Sequence, residues 1–227
     1  MNDHIVSAFD ADMAGLRSAI MAMGGLAETQ VARAVRAISE SSLFLVSQVL
    51  ESEQTVNQLH IQVDLLCNQI LVKRQPFAVD LREVIAAIHS INDLERVGDE
   101  AKKIALKARG MDGAQLNAGF PIGQVVVMGE KVCAMLNLAL DAFIRHDISA
   151  APLLAAQDLE VDALRERLRA MLMERMAEDA KQVSTSLDLI FVVQSLERVG
   201  DHAKNLAEYV VNIVDGRDLR HRGSAAA

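Results

Sequence analysis

The sequence predicts an all-α protein built as two tandem, similar three-helix bundles, with six long helices in all. Three observations predict it. The string LERVGD-x-A-K occurs twice, beginning at Leu94 and again at Leu196, 102 residues apart. In a chain of 227 residues that spacing fits an internal duplication into two units of about 110. The composition is that of a helix former: 51% apolar, three Pro, one Tyr and no Trp, with Ala, Leu, Val, Met, Glu and Arg dominant. Finally, GMDGAQLNAGFP from Gly110 to Pro121 places three Gly and one Pro in twelve residues, which cannot extend a helix. Residues 1–112 are therefore expected to form the first bundle, and residues 113–227 the second.

The elements follow in order from apolar periodicity. The first helix is expected from about Ala11 to Ser39, ending at the Ser-rich SESS; the second runs to about Lys73 and breaks at Arg74-Gln75-Pro76. A third covers Val79 to about Arg109. The second half repeats the plan with helices near Ile122–Arg145, Ser149–Ala177 and Ser184–Val214, separated by HDIS and by a polar break at Glu178–Val183. Helices of roughly 25 to 30 residues would make each up-down-up bundle some 40 Å long. The tail from about Gly216, GRDLRHRGSAAA, has no apolar face and is expected to fray.

Charge and motif content exclude several functions. A net charge of -8 lacks the clustered Lys/Arg excess that phosphate neutralisation on a nucleic acid requires. Cys67 and Cys133 lie apart in apolar segments, as small buried hydrophobes of a reducing compartment, with no CxxC or Cys/His zinc spacing. MNDHIVSAFD shows no basic region leading into an apolar run, and no run of eighteen uncharged apolar residues occurs, so a cytoplasmic protein is expected. P-loop, Gly-rich dinucleotide and GxSxG patterns are missing.

The repeated string carries the candidate site. On a helix, Leu94, Val97, Gly98, Ala101 and Ala105 form one apolar arc, and Glu95 and Asp99 project side by side at its edge; Leu196, Val199, Gly200, Ala203 and Ala207 do the same with Glu197 and Asp201. Carboxylates at i and i+4 repel, so something must compensate them. Local pairing is one answer, Asp99 with Lys102 or Lys103 and Asp201 with Lys204. Antiparallel geometry offers another. A turn near 76 sets Glu95 and Asp99 level with Asn57 and Glu53, and a turn near 179–180 sets Glu197 and Asp201 level with Asp162 and Asp158. Oxygen donors converging from facing helices suit hard cations such as iron, manganese, magnesium or calcium. The second half, with four carboxylates against three and an amide, is expected to hold the stronger site.

DLERVGDEAKKIA, RQPFAVDLR (Arg74–Arg82) and SLERVGDHAKNLAEYV together resemble the signature of the PhoU family, the phosphate-responsive regulators associated with the Pst phosphate importer. The resemblance spans essentially the whole chain. It implies two three-helix bundles whose surfaces hold metal clusters, iron first and manganese, magnesium, calcium or zinc besides, on paired E/D-x-x-x-D motifs. These map onto Glu53 with Asn57, Glu95 with Asp99, Asp158 with Asp162 and Glu197 with Asp201; Asn57 departs from the acidic pattern. It also implies a non-enzymatic negative regulator of the phosphate-starvation response, touching the PhoR sensor kinase and the ATPase subunit of the importer. A homodimer is expected besides.

Two rival readings stand beside this one. A carboxylate-bridged dimetal oxidase or ferritin-like store would need Glu-x-x-His, and no histidine here has Glu three residues before it. A helical adaptor without metal is the other. Asp80 and Arg82 are read as starting and capping the third helix, and Arg96 and Arg198 as solvated or ion-paired. Met21, Met23, Met171, Met173 and Met176 are candidates for adaptable partner surface among mostly core methionines. His202, which replaces Glu100 in the second copy, is expected beside the ligands rather than among them.

Overall fold

The computed structural model of the chain describes residues 2–111, 113–116 and 119–217, and the side chains of these except residues 2–7, 114 and 115. Six long helices dominate: α1 (Asn2–Ser39), α2 (Leu43–Arg74), α3 (Val79–Gly110), α5 (Ile122–Arg145), α6 (Ala150–Glu178) and α7 (Val183–Asp215), with a single turn, α4 (Gly113–Leu116), between α3 and α5. Among the described residues there is no strand. α1 begins nine residues earlier than the sequence suggests, because Phe9 packs against the core and carries the buried stripe Met13, Leu16, Ile20 back by a turn. Within the Gly-rich linker, α4 forms because Leu116 and Phe120 are buried against the core. The tail expected to fray lies, beyond Arg217, outside the described residues.

The ends are set by local chemistry. Ser42 caps α2 by accepting from the Leu45 amide, and Gln75 closes it in the left-handed region at φ 49° just before Pro76. His146 ends α5 at φ 53° and Gly216 ends α7 at φ 69°. A short 3₁₀ turn, Ala180–Gln182, joins α6 to α7.

α1, α2 and α3 pack on one another, as do α5, α6 and α7. α2 and α6 lie on the outside and bury narrow stripes at a seven-residue spacing, Val49, Val56, Val63 and Ile70 on α2 and Leu154, Val161 and Leu168 on α6. A second seven-residue row borders each stripe: Val46, Glu53, His60, Cys67 on α2, and Asp158, Arg165, Leu172 on α6. This row faces the third helix of its own bundle.

The two bundles do not stand apart: α3 packs along α7 and α1 along α5. Both seams have an internal two-fold pattern in which a contact recurs with the two repeats exchanged. At the α1–α5 seam the missing side chain of Gly24 admits Leu140, where a Cβ would sit 2.4 Å from a Leu140 methyl; equivalently Gly129 admits Val35, at 2.7 Å. Along the antiparallel α3–α7 seam, Asp93 meets His202 while Glu100 faces Ser195, and His89 meets Tyr209 while Lys107 meets Phe191. Each such exchange shifts both residues by one repeat. The geometry is that of an isologous dimer interface enclosed in one chain.

Candidate functional site

The carboxylates singled out by the repeats are placed by the second, inner row of α2 and α6. In the first bundle Lys102 Nζ lies 2.6 Å from Glu53 Oε1, and His60 Nδ1 lies 3.4 Å from Glu95 Oε2. In the second, Lys204 bonds Asp158 and lies 3.3 Å from Asp201 Oδ1, while Arg165 bonds Glu197 and lies 3.4 Å from Asp162 Oδ1. The two faces are equivalent. An acid on the outer helix takes the Lys of LERVGD-x-A-K, and the Glu of the string takes a base from the outer helix.

This register differs from the sequence-based one by most of a turn. Glu95 is level with His60 rather than Asn57, and Glu197 with Arg165 rather than Asp162. The 3₁₀ turn at Ala180–Gln182 moves the α6–α7 turn toward the C-terminus, and the non-helical Gln75–Ala78 link, with Ala78 at φ 54°, moves the α2–α3 turn likewise. The second half is thereby assembled into two bridged pairs, Asp158/Asp201 on Lys204 and Asp162/Glu197 on Arg165. In the first half Glu53 and Glu95 each meet a base. The pairing expected for Asp201 with Lys204 is present; Lys103 turns instead to Glu100, at 2.8 Å.

The electrostatics mark the second face as crowded with negative charge. Burial and then the neighbouring Asp201 push the Glu197 carboxyl above the usual carboxylate range, with Arg165 opposing them. Lys204 is lifted above its ordinary value: burial lowers it, but the hydrogen bond and charge of Asp158, with Asp201, outweigh that. Among the described residues no three Asp, Glu, His or Cys side chains converge as a metal shell. The donor set, all oxygen and one carboxylate of it buried (Asp158), has the chemistry a hard divalent ion takes. A metal here would enter by displacing the Lys204 ammonium and the Arg165 guanidinium.

A second polar constellation, on the α3–α7 seam, is one the sequence reading passes over. Asp93 is 4% exposed and accepts from Tyr209 Oη at 2.6 Å and from Asn205 Nδ2 at 3.4 Å, with His202 Nδ1 at 2.8 Å. Burial raises its carboxyl, but His202, Tyr209 and Asn205 together hold it below the usual range. His202 is thus committed across the seam. Arg82 also crosses: its Nε donates to Ile213 O at 2.8 Å and its Nη2 to Val214 O at 3.4 Å, so it caps the C-terminus of α7 rather than α3. Asp80 remains in the first turn of α3. The signal available was the Arg itself, sitting one turn after a helix start where a cation has no favourable local role.

Cys67 and Cys133 are buried free thiols, each pushed up to about 12 by burial. Of the methionines, Met21 and Met173 are exposed, whereas Met23 is fully buried and belongs to the core.

The sequence model of the PhoU domain matches this chain twice, over residues 20–108 and 125–210. The chain is 41% identical to the phosphate-specific transport system accessory protein PhoU homolog of Pseudomonas aeruginosa, over 98% of this chain and 92% of that protein. It is 34% identical to the phosphate-specific transport system accessory protein PhoU of Escherichia coli, over the same shares. The crystal structure of PhoU from Pseudomonas aeruginosa superposes with a TM-score of 0.85 at 40% identity, covering 92% of this chain and 100% of that one. The phosphate transport system regulatory protein PhoU from Streptococcus pneumoniae shares the fold at a TM-score of 0.85 and 24% identity, over 93% and 99% of the two chains. With both repeats matched and the full-length relatives in register, this chain belongs to the PhoU family.

Proposed function

We propose that this chain is a non-enzymatic negative regulator of the phosphate-starvation response and of phosphate uptake, linking the ATPase subunit of a Pst-type importer to a PhoR-type sensor kinase. The observation that carries the reading is the family match over both halves, each with its own copy of LERVGD-x-A-K. Among the described residues no helix is long and apolar enough to cross a membrane, which suits a protein that acts from the cytoplasm on membrane complexes. The test is alkaline phosphatase activity in cells lacking the gene and grown in excess phosphate. High activity that the restored gene silences supports the reading; activity that stays repressed in the deletion removes it.

The acidic faces serve as cation sites under this reading, through Glu53, Asn57, Glu95 and Asp99 in the first bundle and Asp158, Asp162, Glu197 and Asp201 in the second. A bound divalent ion would supply positive charge shared between facing helices. Lys204 and Arg165 compete with it, so Lys204→Met should tighten Mn²⁺ binding by about tenfold, the worth of roughly one removed competing charge in a half-buried site. Asp158→Ala with Asp201→Ala should abolish it, both read by calorimetry on chelator-treated protein. Equal, negligible binding in all three proteins would leave the second reading, a metal-free adaptor, which the internal cation bridges favour. Self-association has a face of its own on α2, where Ile61, Leu65 and Val72 are exposed one above another; light scattering of the purified protein tests for the homodimer.

A further inference from the structure

The two ends of the α3–α7 seam are related by exchange of the repeats, yet only one of them is filled. At the filled end Tyr209 lays its ring 5.5 Å from His89 and donates its hydroxyl to the buried carboxylate of Asp93. At the other end the corresponding positions hold Lys107 for Tyr209, Phe191 for His89 and Ser195 for Asp93, while the carboxylate now comes from α3, as Glu100 in place of His202. Lys107 cannot do what Tyr209 does. Its Nζ turns to Asp188 at 2.7 Å and rides 4.8 Å above the Phe191 ring.

A pocket of about 200 Å³ results, walled by Lys103, Lys107, Phe191, Gln194, Ser195 and Arg198. Two of these, Lys103 and Arg198, bond Glu100, and Ser195 lies beside it; Glu100 is 4% exposed. Its Oε1 takes Lys103 at 2.8 Å and Arg198 at 3.4 Å, while its Oε2 is buried with no hydrogen-bond partner. A buried carboxylate oxygen left unpaired is costly, and a donor brought to it is correspondingly favourable. Phe191 is 53% exposed at the centre of the site.

Across α7 a second groove, of about 470 Å³, is lined by Arg165, Glu166 and Arg169 and shares Gln194 with the first. The exposed stripe Leu187, Phe191, Gln194, Arg198 of α7 therefore runs between two grooves. Their charged linings are five cations (Lys103, Lys107, Arg198, Arg165, Arg169) and one carboxylate, Glu166, and within the chain the cations already meet Glu100, Asp188, Asp162, Glu166 and Glu197.

We infer that this open end of the seam binds a tyrosine side chain carried on an acidic segment of a partner protein. The ring lies against Phe191 and the hydroxyl donates to Glu100 Oε2, reproducing from outside what Tyr209 does within the chain at the other end. Lys103, whose side chain is 55% exposed, swings aside to admit it. Lys107, Arg198 and Arg169, whose side chains stay 39%, 49% and 58% exposed beside their own carboxylates, face the acidic residues flanking the tyrosine. A free anion would satisfy the cations but use neither Phe191 nor Glu100, and a basic segment would be repelled. The inference goes beyond the regulatory reading and does not depend on it, because peptide binding tests it whatever the alkaline phosphatase assay returns.

The experiment is an NMR titration of the full chain with three capped pentapeptides: EEYEE, EEFEE and KKYKK. EEYEE should bind and shift the signals of Phe191, Lys103, Lys107 and Arg198. EEFEE should bind about tenfold more weakly, the worth of one hydrogen bond to a charged acceptor, and KKYKK not at all. Phe191→Ala, a change at a half-exposed ring that the core does not need, should weaken EEYEE while leaving the rest of the spectrum in place. Equal affinity for the tyrosine and phenylalanine peptides, shifts confined to another face, or no binding of EEYEE at millimolar concentration would each overturn the inference.

Discussion

The glycines of the two LERVGD copies look interchangeable in the sequence, and the structure predicts opposite responses when each is changed to alanine. A helix-interior Gly costs about 1 kcal/mol relative to Ala, so filling either position starts with a gain of that size. At Gly200 the new Cβ would meet Met135 Cε and Val132 Cγ1, both at 3.6 Å, which is ordinary contact. The whole gain should survive, and Gly200→Ala should be more stable by about 1 kcal/mol, a rise in Tm of about 2–4 °C for a chain of this size. At Gly98 the Cβ would sit 3.1 Å from Gln30 Oε1. Gln30 is fully buried and holds Ser52 Oγ at 2.9 Å and Val49 O at 3.4 Å through its Nε2, while its Oε1 has no partner. Moving that amide disturbs a buried hydrogen bond worth about 1–3 kcal/mol when broken, so Gly98→Ala should be neutral to about 2 kcal/mol destabilising. Urea denaturation followed by far-ultraviolet circular dichroism measures both. Two gains of equal size would refute the reasoning, because the only difference invoked between the sites is Gln30.

Tyr209→Phe removes one hydrogen bond to the Asp93 carboxylate and should cost about 1.5–3 kcal/mol by the same denaturation. Asp93→Asn should alter the acid limb of the stability profile. The carboxyl is held below its usual value in the folded chain, so the ionised form stabilises the fold above the unfolded-state pKa of about 4, and that contribution is lost as pH falls through the folded value. Titration from pH 6 to pH 2 should therefore show a shallower loss in the variant. Arg82→Ala strips the cap from α7 and should cost about 1 kcal/mol, with amide exchange at 212–216 accelerating while exchange in α5 is unchanged.

The fold class was legible because it rests on features a sequence displays directly: the duplicated string, the scarcity of Pro and the Gly-rich linker. Apart from the start of α1, helix ends were close for the same reason, with α5 matching at Ile122–Arg145. The register was less legible. It depends on how many residues the turns consume, and a 3₁₀ turn at Ala180–Gln182 or a non-helical link at Gln75–Ala78 has no period to read. The seven-residue rows on α2 and α6 would have given it, since they place Glu53 and His60, and Asp158 and Arg165, on the side facing the third helix. His60 and Arg165 carry no signal of their own in the sequence, because neither belongs to the repeated string and only the packed register sets them against Glu95 and Glu197. The seam was least legible of all, because α3 and α7 are apolar on more than one side and periodicity does not say which side meets which helix.

A duplicated chain gains something from its seam that two identical subunits could not have. In a true two-fold dimer both ends of an isologous interface carry the same residues, so a pocket at one end is a pocket at the other, and a filled end implies a filled end. Fusion removes that constraint. Here the end built by His89, Asp93, His202 and Tyr209 is closed by the His89–Tyr209 ring contact and by hydrogen bonds to Asp93, while Lys107, Phe191, Ser195 and Glu100 leave the equivalent end open. The closed end holds the bundles together, and the open end is free to bind. Arg165 connects that freedom to the acidic face, since the same guanidinium bridges Asp162 and Glu197 and lines the groove beside Phe191. Any cation that displaces Arg165 from the carboxylates releases a positive charge toward the groove, so occupancy of the acidic face and affinity for an acidic partner should rise together.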